Sequence, residues 1–197
     1  MSNPRTLKRQ DLMSLERYHA ERPAFRTRVL AHKSTRQVAL GEHVTLLFED
    51  ALTIQYQVQE MLRVERIFEA EGIAEELATY TPMIPDGDNW KATMMIEYED
   101  AEARRIALEQ LEGIERAVWV RIGHGPAIMA IADEDLDRSR PGKTAAVHFL
   151  RFPLTPDQIT DLKGGAPLSL GVEHPHYRFT VDELAAATRQ SLLNDLA

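Results

Sequence analysis

Residues 51–71 carry the pattern of a long amphipathic helix, and this helix limits most strongly how the chain can fold. We expect Asp50 to cap its start and Gly72 to mark its end. At about 100° per residue, apolar side chains fall on one face. These residues are Ile54, Val58, Met61, Leu62 and Phe68. Glu65 lies in the middle of that face and Glu69 near its edge, so the pattern predicts carboxylates where the helix should be buried.

A buried carboxylate is costly unless a cation, a hydrogen-bond donor or a metal ion satisfies it. Glu65 and Glu69 are one helical turn apart, so they could bind one divalent ion such as iron or manganese. The helix lacks the Glu-x-x-His motif that usually completes such a site. Arg63 or a distant arginine pairing with the two carboxylates is the structural alternative. The sequence leaves both possibilities open.

The chain has no cysteine, which excludes disulfides, thiolate nucleophiles, zinc fingers and cysteine-ligated iron–sulfur clusters together. No apolar run approaches the roughly 20 residues that span a bilayer. No apolar segment follows the charged N-terminus, as a signal peptide would require. We therefore expect a cytoplasmic protein without a membrane partner.

Charge is distributed unevenly along the chain. Residues 1–40 contain nine Lys or Arg and three Asp or Glu, whereas the other 157 residues contain 14 basic and 28 acidic side chains. A basic arm can bind nucleic acid, but an acidic body repels phosphates, so we expect no nucleic-acid partner. The alternative is that the arm packs on the acidic body of its own chain.

The pattern predicts one α+β unit with a helical N-terminal part, residues 1–90, and a sheet part, residues 91–197. Residues 11–33 read as two helices broken at Pro23, and residues 38–48 as strands with a turn at Gly41. The helices of the N-terminal part should pack on a mixed, mostly antiparallel sheet.

The second part alternates strands and helices in an order that predicts a ferredoxin-like βαβ arrangement with one extra strand. Asp100, Thr155 and Thr180 are the expected N-caps of its three helices. Gly164 and Gly165 should end the second of these helices.

Two histidines follow a predicted strand at residues 168–172. In extended backbone His174 and His176 point the same way, so both imidazoles could reach one divalent metal such as zinc, iron or manganese. His148, Glu173 or Glu65 could supply a third ligand. The alternative is a hydrogen-bonded turn after an edge strand.

The segment Asp86-Gly-Asp-Asn89 resembles part of a calcium loop, but it lacks the spacing and the terminal Glu of that motif. A turn whose side chains bond their own backbone is the simpler interpretation. Asp86, Asn89 and Lys91 could nevertheless rim a ligand-binding pocket.

Several stretches resemble a bacterial family known as domain of unknown function 3501. They are Leu46-Leu-Phe-Glu-Asp50, Tyr56-Gln-Val-Gln-Glu-Met-Leu-Arg-Val-Glu-Arg-Ile-Phe-Glu69, Ile84-Pro-Asp-Gly87, Lys91-Ala-Thr93 and Gly171-Val-Glu-His-Pro-His-Tyr177. The resemblance brings no assigned reaction. It implies a genomic setting beside rubrerythrin-like proteins and iron–sulfur oxidoreductases, and hence an accessory role in iron or peroxide metabolism.

Three hypotheses follow. The first is a cytoplasmic accessory protein that binds a metal ion or small polar ligand through Glu65 and Glu69 together with the histidines. The second is an interaction protein without chemistry of its own, whose basic arm and long helix dock a rubrerythrin-like or iron–sulfur partner or a second copy of the chain. The third is an enzyme using general acid–base carboxylates, although no motif indicates a substrate.

Overall fold

Two antiparallel sheets form the centre of the protein, whose computed structural model describes residues 6–136 and 138–197. The helices are α1 (Leu15–Lys33), α2 (Ala51–Val64), α3 (Ala70–Tyr80), α4 (Ala101–Gln110), α5 (Pro156–Lys163) and α6 (Ala186–Leu193). The strands are β1 (Gln37–Ala39), β2 (Val44–Phe48), β3 (Asn89–Ile96), β4 (Val118–Ile122), β5 (Ile128–Met129), β6 (Ile131–Ala132), β7 (Val147–Pro153), β8 (Leu168–His174) and β9 (Tyr177–Val181). The predicted α+β class is therefore confirmed.

The first sheet has the strand order β1-β2-β3-β7-β6, and the second has the order β5-β4-β8-β9. All strand pairs in the described residues are antiparallel. Helix α4 joins β3 to β4, which lie in different sheets, so these elements cannot form the parallel βαβ unit that we predicted. The ferredoxin-like arrangement and the mixed sheet are thus not what the described residues form.

One hydrophobic core includes residues of both sheets. Strand β3 shows how alternation builds it, because Trp90 and Met94 are buried in this core while Lys91 and Thr93 point to the opposite face. Strand β2 is buried along its whole length, so its outer face is covered as well. A second cluster, formed mainly by α2 and α3, adds a helical layer.

Several helix boundaries follow the predicted caps. Asp50 accepts hydrogen bonds from the backbone N–H groups of Leu52 and Thr53, and Asp100 and Thr155 cap α4 and α5 in the same way.

No helix in the described part of the chain has the length and apolar character that crossing a membrane requires.

Three boundaries differ from the prediction. Helix α2 ends at Val64 because Arg66 takes a left-handed conformation with φ of 56°, and α3 starts a few residues later. Helix α1 continues through Pro23 without a break. Thr180 lies within β9, and the last helix begins only at Ala186.

Candidate ligand-binding cleft

A cleft of about 740 Å³ opens on the outer face of the first sheet, over β3 and β7. The end of α3, the turn that follows it and the segment after β6 form its walls. Its uncharged lining consists of Ala78, Thr79, Tyr80, Pro82, Met83, Ala92, Phe149 and Leu150. Its charged lining consists of Asp86, Lys91, Glu134, Asp135, Arg138 and Arg151. The cleft therefore combines an apolar surface with three cations and three carboxylates.

Strand register places two of the cations side by side. Lys91 of β3 is the direct partner of Arg151 on β7, and Thr93 is the partner of Phe149. Because alternate residues share a face, all four point away from the core. Like charges directly opposite each other destabilise a sheet unless counter-charges offset them.

The ammonium group of Lys91 is fully engaged. It donates to the carbonyl oxygens of Pro82 and Ile84 at 2.8 and 2.9 Å, and it forms an ion pair with Oδ2 of Asp86 at 2.8 Å. A lysine ammonium has three N–H donors, so none is left for a ligand. Lys91 fixes the wall of the cleft to the sheet.

Arg151 is bound by one carboxylate on one side of its guanidinium group. Its Nε and Nη2 atoms donate to the two oxygens of Glu134, both at 2.7 Å. The bond to Arg151 lowers the pKa of Glu134, which is therefore ionised at neutral pH. Among the described residues, the Nη1 atom of Arg151 has no protein acceptor, and this leaves donors for a further anion.

Arg138 is held more firmly. It makes two bonds to Asp135, at 2.6 and 2.7 Å, and a third to Asp133 at 3.3 Å. Its guanidinium carbon lies 4.2 Å from the ring centroid of Phe149, which adds a cation–π contact. The bond to Arg138 lowers the pKa of Asp135.

A buried polar network lies behind Arg138. Asp133, which has a positive φ of 52°, places Oδ2 2.6 Å from Nδ1 of His148. On the other side of the ring, Nε2 of His148 lies 2.8 Å from Oγ1 of Thr144, which contacts the buried carboxylate of Glu115. The network fixes Asp133 and, through it, Arg138. Both nitrogens of His148 are engaged by the protein, and its exposed fraction is 0%.

The burial predicted for Glu65 and Glu69 is wrong. Both side chains are exposed, since α2 ends before Glu65 and α3 begins after Glu69. The apolar face predicted for this helix ends with Leu62, and Phe68 is 65% exposed. The role of the two carboxylates as ligands stays a prediction.

The predicted histidine pair lies where β8 turns into β9. Nε2 of His174 is 3.0 Å from the carbonyl oxygen of Glu112, and the backbone N–H of His176 donates to Nδ1 of His174. This is a hydrogen-bonded turn as in the alternative interpretation, but β8 lies between β4 and β9 and is not an edge strand. In the described part of the chain, no group of three or more His, Asp or Glu side chains is placed to hold a metal ion, so His148, His174, His176 and Glu65 do not form one.

The structure places Asp86 and Lys91 in the cleft, and Asn89 beside it. Asn89 is buried and donates to the carboxylates of Asp86 and Asp88, while its own oxygen accepts from the backbone of Asp86. Asn89 therefore shapes the turn that presents Asp86.

The sequence interpretation missed Arg138, Arg151 and the carboxylates that bind them. For Arg151 a signal exists, because it occupies the outward position of an alternating apolar strand, two residues after Phe149. For Arg138 no comparable pattern exists, since it lies in a charged segment without periodicity.

Glu49 is a carboxylate buried beside the helical layer, and it is 6% exposed. Its two oxygens accept hydrogen bonds from Thr53 at 2.5 Å and from Thr93 at 2.6 Å. Burial raises the pKa of Glu49 more than these bonds lower it. Thr93 shares the outer face of β3 with Lys91, so Glu49 lies next to the floor of the cleft.

Residues 6–196 match the family described as protein of unknown function DUF3501, and the chain belongs to that family. The chain is also similar to a solved structure, a novel protein of unknown function from Burkholderia pseudomallei K96243. The two share 48% sequence identity with a TM-score of 0.93, over 98% of this chain and 100% of the other. Among curated proteins, none matches this chain.

Proposed function

We propose that this protein binds a small amphipathic anion in the cleft over β3 and β7. The observation that carries the proposal is the direct pairing of two cations, Lys91 and Arg151, on a sheet face that also exposes apolar surface. In the free protein the carboxylates of Asp86 and Glu134 offset the repulsion between the two cations, and Nη1 of Arg151 remains as a donor for a bound anion. The cleft volume of about 740 Å³ suits a small organic molecule.

The two cations have different roles in this proposal. Lys91 has no free donor and fixes the wall of the cleft to the sheet, whereas Arg151 retains donors that can bind the anionic group. Tyr80, Met83 and Phe149 supply a surface for the apolar body of the ligand. Polar groups would orient the ligand while apolar contact supplies much of the affinity.

The test uses 1-anilinonaphthalene-8-sulfonate, a fluorescent anion with an aromatic body. We expect saturable binding at one site of the native protein, measured as an increase in fluorescence. Arg151→Met should weaken binding by about tenfold or more, because hydrogen bonds to charged groups contribute about 1.5–3 kcal/mol.

Arg105→Met is the matched control, because Arg105 lies on α4 and also pairs with exposed carboxylates, Glu102 and Glu109. It removes the same charge and should leave the affinity unchanged. Equal affinity in the native protein and the Arg151 variant, with both folded, would contradict the proposal.

The metal branch of the first hypothesis has weaker support, since the predicted ligands do not come together in the described residues. The role in iron or peroxide metabolism, the rubrerythrin-like or iron–sulfur partner and the cytoplasmic location all stay predictions. Metal content of protein purified without a His-tag or chelator tests the metal branch directly. Stoichiometric iron, manganese or zinc in the purified protein would support the metal-binding hypothesis.

The interaction hypothesis also stays a prediction. Part of the basic arm pairs with its own chain, as Arg22 does with Glu60 at 2.8 Å and Arg36 with Asp195 at 2.6 Å. Binding of a partner through the remaining cations should weaken as ionic strength rises.

A further inference from the structure

The carboxylate of Glu134 occupies the Nε and Nη2 edge of the Arg151 guanidinium group, and Nη1 has no acceptor among the described residues. We infer that the cleft takes carboxylic acids, and that Glu134 competes with the ligand for Arg151. When a ligand binds, its carboxylate replaces that of Glu134, which moves into water. This inference rests on the proposed function and specifies the chemical class of the ligand.

The geometry of the two arginines points to a carboxylate. Arg151 holds Glu134 through two parallel hydrogen bonds of 2.7 Å, and Arg138 holds Asp135 through two bonds of 2.6 and 2.7 Å. This fork-to-fork arrangement is the one that a guanidinium group forms with a planar carboxylate. Both arginines of the cleft therefore already bind the proposed ligand group.

Exposure and contacts indicate which of the two pairs exchanges. The Glu134 side chain is 50% exposed and Arg151 is 29% exposed, and among the described contacts Glu134 is the one carboxylate bonded to Arg151. Arg138 is 18% exposed and has additional contacts with Asp133, the carbonyl oxygen of Leu136 and the Phe149 ring. Arg138 is thus held in place when Asp135 moves, whereas the Nε and Nη2 edge of Arg151 becomes free once Glu134 leaves.

The exchange requires little energy. Exposed ion pairs contribute little to stability, because water competes for both partners and long side chains lose freedom when they pair. A ligand carboxylate restores the same two bonds to Arg151, and the ligand also buries its apolar body beside Phe149. When Glu134 leaves Arg151, water hydrates its carboxylate, because the Glu134 side chain is exposed.

The experiment compares 2-naphthoate with its neutral analogue 2-naphthamide, using fluorescence titration of the native protein and of Glu134→Gln. Removing the internal competitor should tighten 2-naphthoate binding by about two- to fivefold. Binding of 2-naphthamide should not change. Glu102→Gln, which removes a carboxylate from the bidentate pair with Arg105 on α4, should affect neither compound.

Three results would overturn the inference while leaving anion binding intact. The first is unchanged 2-naphthoate affinity in Glu134→Gln. The second is an equal gain in Asp135→Asn, which would indicate a general charge effect in place of exchange at Arg151. The third is tighter binding of 2-naphthyl phosphate than of 2-naphthoate. By contrast, native protein that binds neither 1-anilinonaphthalene-8-sulfonate nor 2-naphthoate would overturn the proposed function itself.

Discussion

Glu49 shows how the fold treats a single buried acid. Its carboxylate has two threonine hydroxyl donors and lies in the layer between α2 and β3. Hydrogen bonds from hydroxyl groups stabilise an ionised carboxylate less than a neighbouring cation would. The effect of burial is therefore larger than the effect of these bonds, and the pKa of Glu49 is raised. The folded protein therefore binds a proton at Glu49 more strongly than the unfolded chain does.

We predict that Glu49 makes the protein less stable as pH rises. Because its pKa is higher in the folded state, the folded protein holds the extra proton, and stability falls as pH rises from about 4.5 through the folded pKa. Glu49→Gln removes this titration, so its stability relative to the native protein should improve between pH 4.5 and pH 7.5. Urea unfolding at both pH values measures the difference.

Glu42→Gln serves as the control for a Glu-to-Gln change, since the Glu42 side chain is 93% exposed. Subtracting its effect isolates the contribution of Glu49. A Glu49→Gln variant whose relative stability is the same at both pH values would contradict the raised pKa.

Sequence periodicity indicated a buried carboxylate near the long helix but selected the wrong residue. The angular argument requires the helix to continue past Glu65, and the left-handed Arg66 stops it. Glu49 lies between a strand and a helix cap, where no periodic pattern applies. Asp86 and Lys91 line the cleft, and their role in binding a ligand stays a prediction.

At the level of elements, α1 is the least expected feature. Pro23 lies in its ninth position, where it lacks the N–H that would bond to the preceding turn. The helix persists because Tyr18, Phe25 and Val29 on both sides of Pro23 are buried together. Packing thus outweighs the local cost of proline.

We predict that Pro23→Ala stabilises the protein. Alanine restores the missing N–H donor and removes the clash of the proline ring, a difference of up to about 3 kcal/mol in a helix interior. Part of this gain is offset because alanine makes the unfolded chain more flexible, so we expect about 1–2 kcal/mol. Urea unfolding and far-ultraviolet circular dichroism measure the change.

Pro156→Ala provides the comparison, because Pro156 occupies the first turn of α5, where proline is well tolerated. It should give no comparable gain. Loss of stability in Pro23→Ala would mean that the proline ring contributes packing that outweighs the hydrogen bond.

The caps Asp50, Asp100 and Thr155 could be predicted from sequence because a cap depends on two or three adjacent residues, whereas Thr180 was wrong because it belongs to a strand. The assignment of strands to sheets could not be predicted, since the same order of elements fits a single sheet or two facing sheets. Strand β9 was missed although its sequence, Tyr177-Arg-Phe-Thr-Val181, alternates apolar and polar residues, because Thr180 was interpreted as the cap of the last helix.

At the level of the whole molecule, Arg36 connects distant parts of the chain. It is 1% exposed and donates to the carbonyl oxygens of Phe48 and Glu49, to Ser191 and to Oδ2 of Asp195. These contacts join the end of β2 to the segment containing α6. Replacing such a buried guanidinium group destabilises the protein, because each acceptor that it bonds is left without a hydrogen-bond donor.

We predict that Arg36→Met destabilises the protein by about 3–5 kcal/mol, the usual cost of breaking a buried ion pair. Urea unfolding measures the loss, and amide hydrogen exchange should show faster exchange in α6. Arg26→Met is the control, because Arg26 is exposed on α1 and its removal should change stability by less than about 0.5 kcal/mol. Similar stability in both variants would show that Arg36 does not anchor α6.

The separation of 159 residues between Arg36 and Asp195 also affects how the protein is made. At about 5–20 residues per second, a ribosome adds the second partner about 8–30 s after the first. Throughout that time, the guanidinium group and the strand beside it lack the carboxylate that completes their surroundings. The nascent chain must therefore keep this end of the sheet hydrated until Asp195 has been added, so the surroundings of Arg36 depend on a residue made much later.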